Sequence, residues 1–380
     1  MEEFDDIRRS IRSLCTNFPG AYWRTLDAER AYPTEFVAAL TQAGFLAALI
    51  PEKYGGSGLP LAAACAILEE IQAQGCNGAA CHAQMYTMGT ILRHGSPEQK
   101  ARILPGLARG ALRLQAFGVT EPSSGTDTTA IRTFAHRIGD HYIINGQKVF
   151  TSRAEHSDMM LLLARTTPRD QIHRKSEGLS VFLIDMREAR GLSLRSLRTM
   201  MNHATCEVFI DNLHVPAANL IGEEGKGFRY ILDSMNAERI LIAAECIGDA
   251  RWFIRKATDY ARERVVFGHP IGRNQGIQFP IARAYAATEA AALMVRKAAA
   301  RFDTHHPCGA EANMAKLLAA EASWQAADMC LQTHGGYGFA EQFDVERKFR
   351  ETRLYQVAPV STNMILAYLG EHVLHLPKSY

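Results

Sequence analysis

The sequence predicts an α+β multidomain fold with an N-terminal helical domain, a middle β-barrel domain and a C-terminal four-helix bundle. Three observations predict this fold. Residues 1–115 contain helix start and stop signals, and residues 116–222 contain short β-rich runs. Residues 223–380 contain long alanine-rich stripes with a helical period. We take these three ranges as the predicted domains.

The first segment carries helix start and stop signals. Pro33 stands at a first-turn position of a helix predicted to end before Gly44. Ser96 and Pro97 supply an N-cap serine and a proline at the first helical position, so a second helix is predicted to begin there.

The middle segment has the composition of short strands. The Asn145-Gly146 pair lies between two β-rich runs and predicts a hairpin over residues 141–151. Further strands are predicted at Met159–Leu163, Leu179–Ile184 and Cys206–Ile210. This spacing favours a small barrel or sandwich over βαβ units.

The last segment returns to a helical period. Apolar residues from Ile240 to Ala261 fall on one face of an unusually long helix. Residues 279–302 and 310–333 repeat the pattern with many alanines, and a final helix is predicted around Met364–Leu374. Long helices with alanine seams indicate a bundle.

Bulk composition excludes several classes of protein. The 42 basic and 40 acidic residues give a net charge of +2, which does not favour nucleic-acid binding. The apolar runs are too short for membrane insertion and the N-terminus lacks the pattern of a signal peptide, so a cytoplasmic protein is expected. The cysteines have no paired spacing, and His372 and His375 have no obvious third ligand nearby, so no metal site is expected.

Two glycine clusters invite a nucleotide-binding interpretation that the sequence does not support. Gly222–Gly227 lacks the Ser or Thr that follows the lysine of a phosphate loop. Neither this cluster nor Gly335–Gly338 matches the dinucleotide fingerprint after a strand. A Rossmann dehydrogenase is therefore disfavoured.

The loop Phe117–Asp127 begins a series of motifs in a recognisable order. Its Thr120-Glu-Pro-Ser-Ser-Gly-Thr126-Asp run resembles the T-E-P-x-x-G-S-D signature of acyl-CoA dehydrogenases, with Thr126 in the serine place. The later segments that resemble this family are Ile144–Ser152, Val208–Phe228, Tyr260–Ile271, Gln332–Phe339 and the pair Arg350 and Arg353. The resemblance to the acyl-CoA dehydrogenase superfamily covers about residues 40 to 375.

The resemblance implies an FAD enzyme that oxidises the α–β carbon bond of an acyl-CoA thioester and passes electrons to electron transfer flavoprotein. The residues that would line the flavin ring are Phe117, Val119, Thr120, Phe150 and Ser152. Thr126 would lie near flavin phosphate or bind the CoA substrate. The residues that would hold the adenosine half from a neighbouring subunit are Arg264, Phe267, Gln332 and Gly336, which implies a homo-oligomer, a dimer or a tetramer. For Phe150 and Phe267 the alternative is ordinary core packing.

The expected catalytic base is displaced. Most of the family places a glutamate before the last helix, and aligned from Arg350 that position falls on Pro359. Glu238 matches the position used in the isovaleryl and long-chain branches, so it is the candidate base, with Arg239 as the adjoining residue that shapes the substrate site. The alternative for Glu238 is a glutamate near a helix N-terminus, favoured only by the helix dipole.

Pro359 also affects the activation of the thioester carbonyl. The family uses the backbone N–H at this position, and proline has none. Losing one such donor typically costs about 2.7–4 kcal/mol of transition-state stabilisation, unless a neighbour such as Val360 substitutes. Ser361 and Thr362 are candidates either for a helix N-cap or for flavin contacts. Two other functions stay open: a relative reoxidised by oxygen, such as an acyl-CoA oxidase or a nitroalkane-oxidase-like enzyme, and a catalytically silent acyl-CoA-binding flavoprotein.

Overall fold

A computed structural model describes residues 4–378, and the chain forms two compact units. The helical unit comprises Met1–Glu29, Pro60–Gly78 and Asn236–Tyr380. The sheet unit comprises Arg30–Leu59 and Ala79–Met235.

Eleven α-helices lie within residues 4–378. In chain order they are α1 Asp5–Cys15, α2 Gly20–Glu29, α3 Thr34–Gln42, α4 Leu61–Ala73, α5 Ala79–His94, α6 Pro97–Ala108, α7 Gly227–Glu263, α8 Gln275–Asp303, α9 Gly309–His334, α10 Val345–Arg353 and α11 Thr362–Tyr368. The predicted start of α6 is confirmed, because Ser96 Oγ accepts from Gln99 N and Gln99 Oε1 accepts from Ser96 N, which together form a capping box.

The helical unit is built around the three long helices. Alanines dominate the buried faces of α8 and α9, and small side chains allow helices to approach closely. Trp252 and Phe253 supply the largest apolar surfaces of this core. The long helices that the apolar stripes predict are therefore confirmed. The final helix is shorter than predicted, since α11 ends at Tyr368 and a single π-helical turn follows over Leu369–Val373.

Ten β-strands lie within residues 4–378. They are β1 Leu114–Gly118, β2 Phe134–Ile138, β3 His141–Ser152, β4 Met159–Arg165, β5 Leu179–Asp185, β6 Leu192–Ser196, β7 Thr205–Pro216, β8 Leu220–Ile221, β9 Val265–Val266 and β10 His269–Pro270. The first eight form one sheet in the order β6-β7-β3-β2-β4-β5-β8, with β1 paired to β4.

The sheet unit contains a pair of buried, largely apolar strands. Nearly every residue of β4 and β5 is buried, as expected for strands covered on both faces. Tyr142 and Phe182 meet edge to face in the core of the sheet. The predicted fold class, helical segments before and after a sheet domain, is confirmed.

The hairpin predicted at Asn145-Gly146 is wrong. β3 runs without a turn through both residues and pairs along its length with β7. A Cβ on Gly146 would lie 2.4 Å from Thr133 Oγ1, so the glycine is required by the close approach of Thr133, the residue before β2, and not by a turn. The actual turn lies at Gly139 and Asp140, where Gly139 has a φ of +61° between β2 and β3.

Within residues 4–378, no helix combines the length and the apolar character needed to cross a membrane.

Candidate active site

The loop after β1 is held in place by hydrogen bonds from β3. Val119 O accepts from Lys148 Nζ at 3.0 Å, and Thr120 O accepts from Val149 N at 2.9 Å. Both bonds go to backbone carbonyls, so the Val119 and Thr120 side chains stay available on a half-buried surface. The structure thus brings the two predicted ring-lining residues of this loop beside β3.

A buried ion pair anchors the same loop. Glu121 Oε1 accepts from Lys148 Nζ at 2.9 Å and from Thr133 N at 2.9 Å, while Oε2 accepts from Arg132 N at 2.6 Å. Burial opposes ionisation of this carboxyl, but the Lys148 charge and the backbone donors outweigh it and hold the pKa of Glu121 below its usual range. Glu121 therefore joins β1, β2 and β3 at one point.

Phe150 occupies a bulge near the end of β3. The pairing with β7 shifts register between Lys148 and Thr151, and Phe150 has a φ of +58°, in the left-handed region. Its side chain is 61% exposed, which excludes the core-packing alternative. Bulges often re-aim a side chain next to a functional site. Ser152 follows at the end of β3 and is half-buried.

Beyond Ser152 lies a cluster of basic side chains. Arg153 Nη2 donates to His203 Nδ1 at 3.2 Å, and Arg153 itself is buried. Burial, with Arg153 and His82 as neighbours, holds the pKa of His203 well below its usual range. A neutral His203 ring can accept this bond. His82 lies on α5, one helical turn before Tyr86, and the two rings are in contact. The Tyr86 ring lies 6.2 Å from the ring of Phe117, which is predicted to line the flavin.

Thr126 lies at the open tip of the loop after β1. It is exposed, and a Cβ on the preceding Gly125 would meet no atom within 4 Å. The loop carries its own support, because Glu121 N and Ser124 N exchange hydrogen bonds with each other's carbonyls. An exposed hydroxyl on a braced loop suits contact with a phosphate.

In the helical unit, Phe267 stands at the tip of the β9–β10 hairpin. Phe267 and Gly268 form a two-residue turn with φ values of +53° and +83°, the pattern of a type I′ turn. This turn normally takes Asn or Gly first, and here an aromatic ring that is 97% exposed holds that position. Core packing is excluded for Phe267 as well.

The other three residues predicted to bind adenosine gather near this hairpin. The Arg264 guanidinium lies 5.8 Å from the centre of the Tyr337 ring, which directly follows Gly336. Gln332 is one turn earlier on α9, and Arg264, Gln332 and Gly336 are all exposed. A Cβ on Gly336 would meet no atom within 4 Å, so this surface is open to a ligand or to another chain.

A cavity of about 380 Å³ lies between the end of α7 and the start of α8. Its polar side chains come from Thr258, Arg262, Gln278 and Tyr285, and isoleucines, alanines and one glycine line the rest. The cavity volume is within the range of small-molecule sites. Two of its lining residues, Arg262 and Gly272, flank the segment that carries Arg264 and Phe267.

Glu238 lies in the interior of α7. It is 9% exposed and stands eleven residues after the first residue of the helix, Gly227. A helix dipole acts on the first turn only, so the dipole alternative for Glu238 is excluded. Arg239 is also buried, and its Nη2 donates to Asn236 Oδ1 at 2.7 Å. Burial lowers the pKa of Arg239, and the neighbouring Glu238 charge opposes that shift.

The segment Tyr355–Val360 carries Pro359 where relatives place a base. Lys316 of α9 reaches this segment: its Nζ donates to Tyr355 O at 2.5 Å and to Val360 O at 2.7 Å. Ser361 is the N-cap of α11, because its Oγ accepts from Met364 N at 3.4 Å. Ser361 therefore has the N-cap role that the sequence allowed.

Sequence reasoning missed the roles of Glu121, Lys148, Arg153, His203 and Lys316. Glu121 lies in the motif Phe117–Asp127 and Lys148 in the motif Ile144–Ser152, and these positions are the only sequence signal for their roles. Lys316 interrupts the apolar stripe of α9, and a charged residue on a buried helix face indicates a specific partner.

Comparison with known proteins follows the same division of the chain. Family models match at residues 1–111 (acyl-CoA dehydrogenase, N-terminal domain), 116–213 (acyl-CoA dehydrogenase, middle domain) and 225–374 (acyl-CoA dehydrogenase, C-terminal domain). Acyl-CoA dehydrogenase fadE12 of Mycobacterium bovis is 33% identical over 384 residues, covering 100% of this chain and 98% of that protein.

Two solved structures share the fold along the whole chain. A glutaryl-coenzyme A dehydrogenase in complex with glutaryl-CoA is 30% identical with a TM-score of 0.92, covering 100% of this chain and 98% of that one. A chain from the structural work on the electron transferring flavoprotein of Acidaminococcus fermentans is 28% identical with a TM-score of 0.92, covering 98% of this chain and 100% of that one.

Proposed function

Because this chain belongs to the acyl-CoA dehydrogenase family, we propose that Glu238 is the base that removes the α-proton of its substrate and that its electrons pass to electron transfer flavoprotein. The chain is a flavoprotein oxidoreductase that dehydrogenates acyl-CoA, with FAD as its cofactor. FAD, when bound, would supply the acceptor for the hydride of the β-carbon.

The observation that carries the assignment of Glu238 is its burial beside two cationic side chains. Arg239 adjoins it on α7, and the Lys316 ammonium is close enough for Glu238 to influence its pKa. A desolvated carboxylate is a stronger base than an exposed one, and nearby cations keep it ionised until it takes a proton. The segment Tyr355–Val360 contains no carboxylate that could act instead.

Polarisation of the thioester carbonyl needs a donor other than Pro359. We assign this role to the backbone N–H of Val360, the next residue in the same segment. Val360 O is bound by Lys316, so the residue is held from its carbonyl side. A preorganised donor at this position would stabilise the negative charge that develops on the carbonyl oxygen as Glu238 takes the proton.

The residue types present fit FAD. In the sheet unit, Phe150 offers an exposed aromatic face, and the Thr120 and Ser152 hydroxyls can donate to the edge of a flavin ring. In the helical unit, Arg264 suits pyrophosphate and Phe267 suits stacking on a flat ring. We propose that Phe117, Val119, Thr120, Phe150 and Ser152 line the ring, and that Thr126 contacts flavin phosphate or CoA.

The second group of residues supports a shared cofactor site. Arg264, Phe267, Gln332 and Gly336 are exposed, and Phe267 keeps an unfavourable backbone conformation that places its ring in solvent. We propose that these residues hold the adenosine half of FAD bound to a neighbouring subunit. The protein would then be a homodimer or a homotetramer.

A second candidate for the electron acceptor is oxygen, as in an acyl-CoA oxidase or a nitroalkane-oxidase-like relative. Pro359 supports a departure from the usual chemistry, because it removes both the base and the donor of that position. After anaerobic reduction, stopped-flow mixing with air-saturated buffer and separately with electron transfer flavoprotein distinguishes the two acceptors. Fast reoxidation by electron transfer flavoprotein and slow reoxidation by oxygen are expected.

The experiment that tests the proposed function is anaerobic reduction of the purified FAD-containing protein by a panel of acyl-CoA thioesters. Straight-chain, branched and aromatic acyl groups should be compared, with the flavin absorbance as the measurement. At least one thioester should bleach the flavin within the dead time or within seconds. A protein that stays oxidised with every thioester would refute the proposal.

A further inference from the structure

Lys316 makes a buried clamp on the segment that replaces the usual base. The side chain lies on α9 with no exposed surface, and its Nζ donates to Tyr355 O at 2.5 Å and to Val360 O at 2.7 Å. The two carbonyls bracket Pro359, so one ammonium group fixes both ends of the segment. Hydrogen bonds from a charged donor are about twice as strong as neutral ones.

The same ammonium acts on Glu238 through its charge. Burial lowers the pKa of Lys316 to about 8, the Cys246 thiol and Glu238 raise it, and Arg239 lowers it. Electrostatic interaction is mutual, so a positive Lys316 favours the ionised form of Glu238 by the same amount. The groups that face this ammonium are thus Glu238, Arg239 and Cys246 from α7 and Tyr355 from the clamped segment.

We propose that Lys316 is a positioning residue of the dehydrogenation site, which holds the Tyr355–Val360 segment in place and keeps Glu238 ionised. This inference rests on the proposed role of Glu238. The Tyr355–Val360 segment has no carboxylate, but it still contributes to catalysis because the clamp fixes Val360, whose N–H we assign as a donor to the thioester carbonyl. A displacement of about 1 Å in such a group can reduce a rate about 100-fold.

A second buried lysine provides a matched control. Lys348 on α10 is also fully buried in the helical unit, but its Nζ contacts the carboxylates of Asp249 and Glu351 and the amide oxygen of Gln72 at 2.7 Å. Loss of Lys348 removes a buried charge of the same kind from a network that does not include Glu238. Gln72 Nε2 also donates to the Tyr355 hydroxyl at 3.2 Å, so Lys348→Met is the control for the acid limb of the pH profile and not for hydrogen exchange of the segment.

The test compares Lys316→Met, Lys316→Arg and Lys348→Met in the FAD-containing protein. Hydrogen exchange of the backbone amides in residues 354–361 measures the clamp. The rate of anaerobic flavin reduction against pH, with the acyl-CoA that reduces the wild type fastest, measures the charge on Glu238. Melting temperature and FAD content are recorded for each variant.

For Lys316→Met we expect exchange of residues 354–361 to rise roughly tenfold or more. Reduction should slow by roughly 10- to 100-fold, and the acid limb of its pH profile should move upward, because Glu238 loses a neighbouring positive charge. Lys316→Arg keeps the charge, so its acid limb should match the wild type. Lys348→Met should lower the melting temperature without moving the acid limb. If Lys316→Met does not fold, Lys316→Gln, which lacks the charge but can still donate, should show the same shift of the acid limb.

Wild-type exchange and an unmoved acid limb in Lys316→Met, or in Lys316→Gln where that variant replaces it, overturn the inference while the proposed function stands. If no acyl-CoA reduces the wild type, the proposed function fails, and the role of Lys316 towards Glu238 fails with it. The two failures are distinguishable, because the second is seen in the wild type before any variant is made.

Discussion

Lys148 Nζ lies 2.9 Å from Glu121 Oε1, and both side chains are buried in the sheet unit. This pair ties the loop after β1 to β3 and so positions the carbonyls of Val119 and Thr120. The shape of the proposed ring-binding surface therefore depends on one buried ion pair.

Replacing Lys148 by Met should destabilise the protein strongly. The variant leaves the Glu121 carboxylate buried without its cation, and breaking a buried pair from one side typically costs about 3–5 kcal/mol. Chemical denaturation measures the change, and the FAD-to-protein ratio after gel filtration should fall in parallel. Lys226→Met is the control, since Lys226 and its partner Glu223 are both largely exposed. A Lys148→Met protein as stable as the control, with full FAD content, would show that the pair does not position the loop.

His203 should make stability depend on mildly acidic pH. Its pKa in the folded state is well below the value of about 6.5 expected in the unfolded chain. Below about pH 6.5 the unfolded state binds a proton that the folded state does not, so stability is complete above that pH and decreases as the pH falls. The slope is at most about 1.4 kcal/mol per pH unit for one histidine.

Thermal unfolding of wild type and His203→Gln between pH 7.5 and 5.5 measures this effect. The wild-type midpoint should fall with acidification, and the variant should show a flatter profile. His305→Gln removes an exposed histidine and should behave as the wild type. Identical slopes for all three proteins would mean that His203 titrates normally.

Phe267→Asn should weaken FAD retention without destabilising the fold. Asparagine tolerates the left-handed conformation at the first position of the hairpin turn, while the exposed ring is lost. The FAD-to-protein ratio, sedimentation and melting temperature should be measured on one sample. Leu374→Asn removes another exposed apolar side chain outside the motifs and serves as the control. Full FAD occupancy in Phe267→Asn would contradict a role for this ring in binding the cofactor of a neighbouring subunit.

Much of the fold could be predicted from the sequence because its elements are long and regular. The alanine stripes fixed the places of α7, α8 and α9, and the continuous apolar runs indicated β4 and β5. The predicted hairpin at Asn145-Gly146 was wrong because a glycine can serve either a turn or a close packing contact, and the sequence alone does not distinguish them. Here the contact with Thr133 requires the glycine. The domain limits at residues 115 and 222 stay a prediction.

The candidate site was less predictable than the fold. Motifs indicated Phe150 and Phe267, but only the backbone shows that both hold a positive φ and face solvent. The partners of Glu121 and Lys316 come from distant parts of the chain, and no periodic pattern records such contacts. Single polar residues acquire their roles through tertiary packing.

Glu238→Gln tests the central claim most directly. Glutamine keeps the size and the hydrogen-bonding capacity but cannot accept a proton, so acyl-CoA binding should survive and anaerobic flavin reduction should fall by roughly 100- to 10,000-fold. Glu263→Gln, an exposed position at the end of the same helix, is the matched control and should react as the wild type. The rates should be read beside the melting temperatures, because a structural role alone changes stability and leaves the rate intact. A Glu238→Gln protein that is reduced within a few-fold of the wild-type rate would contradict the assignment of Glu238 as the base.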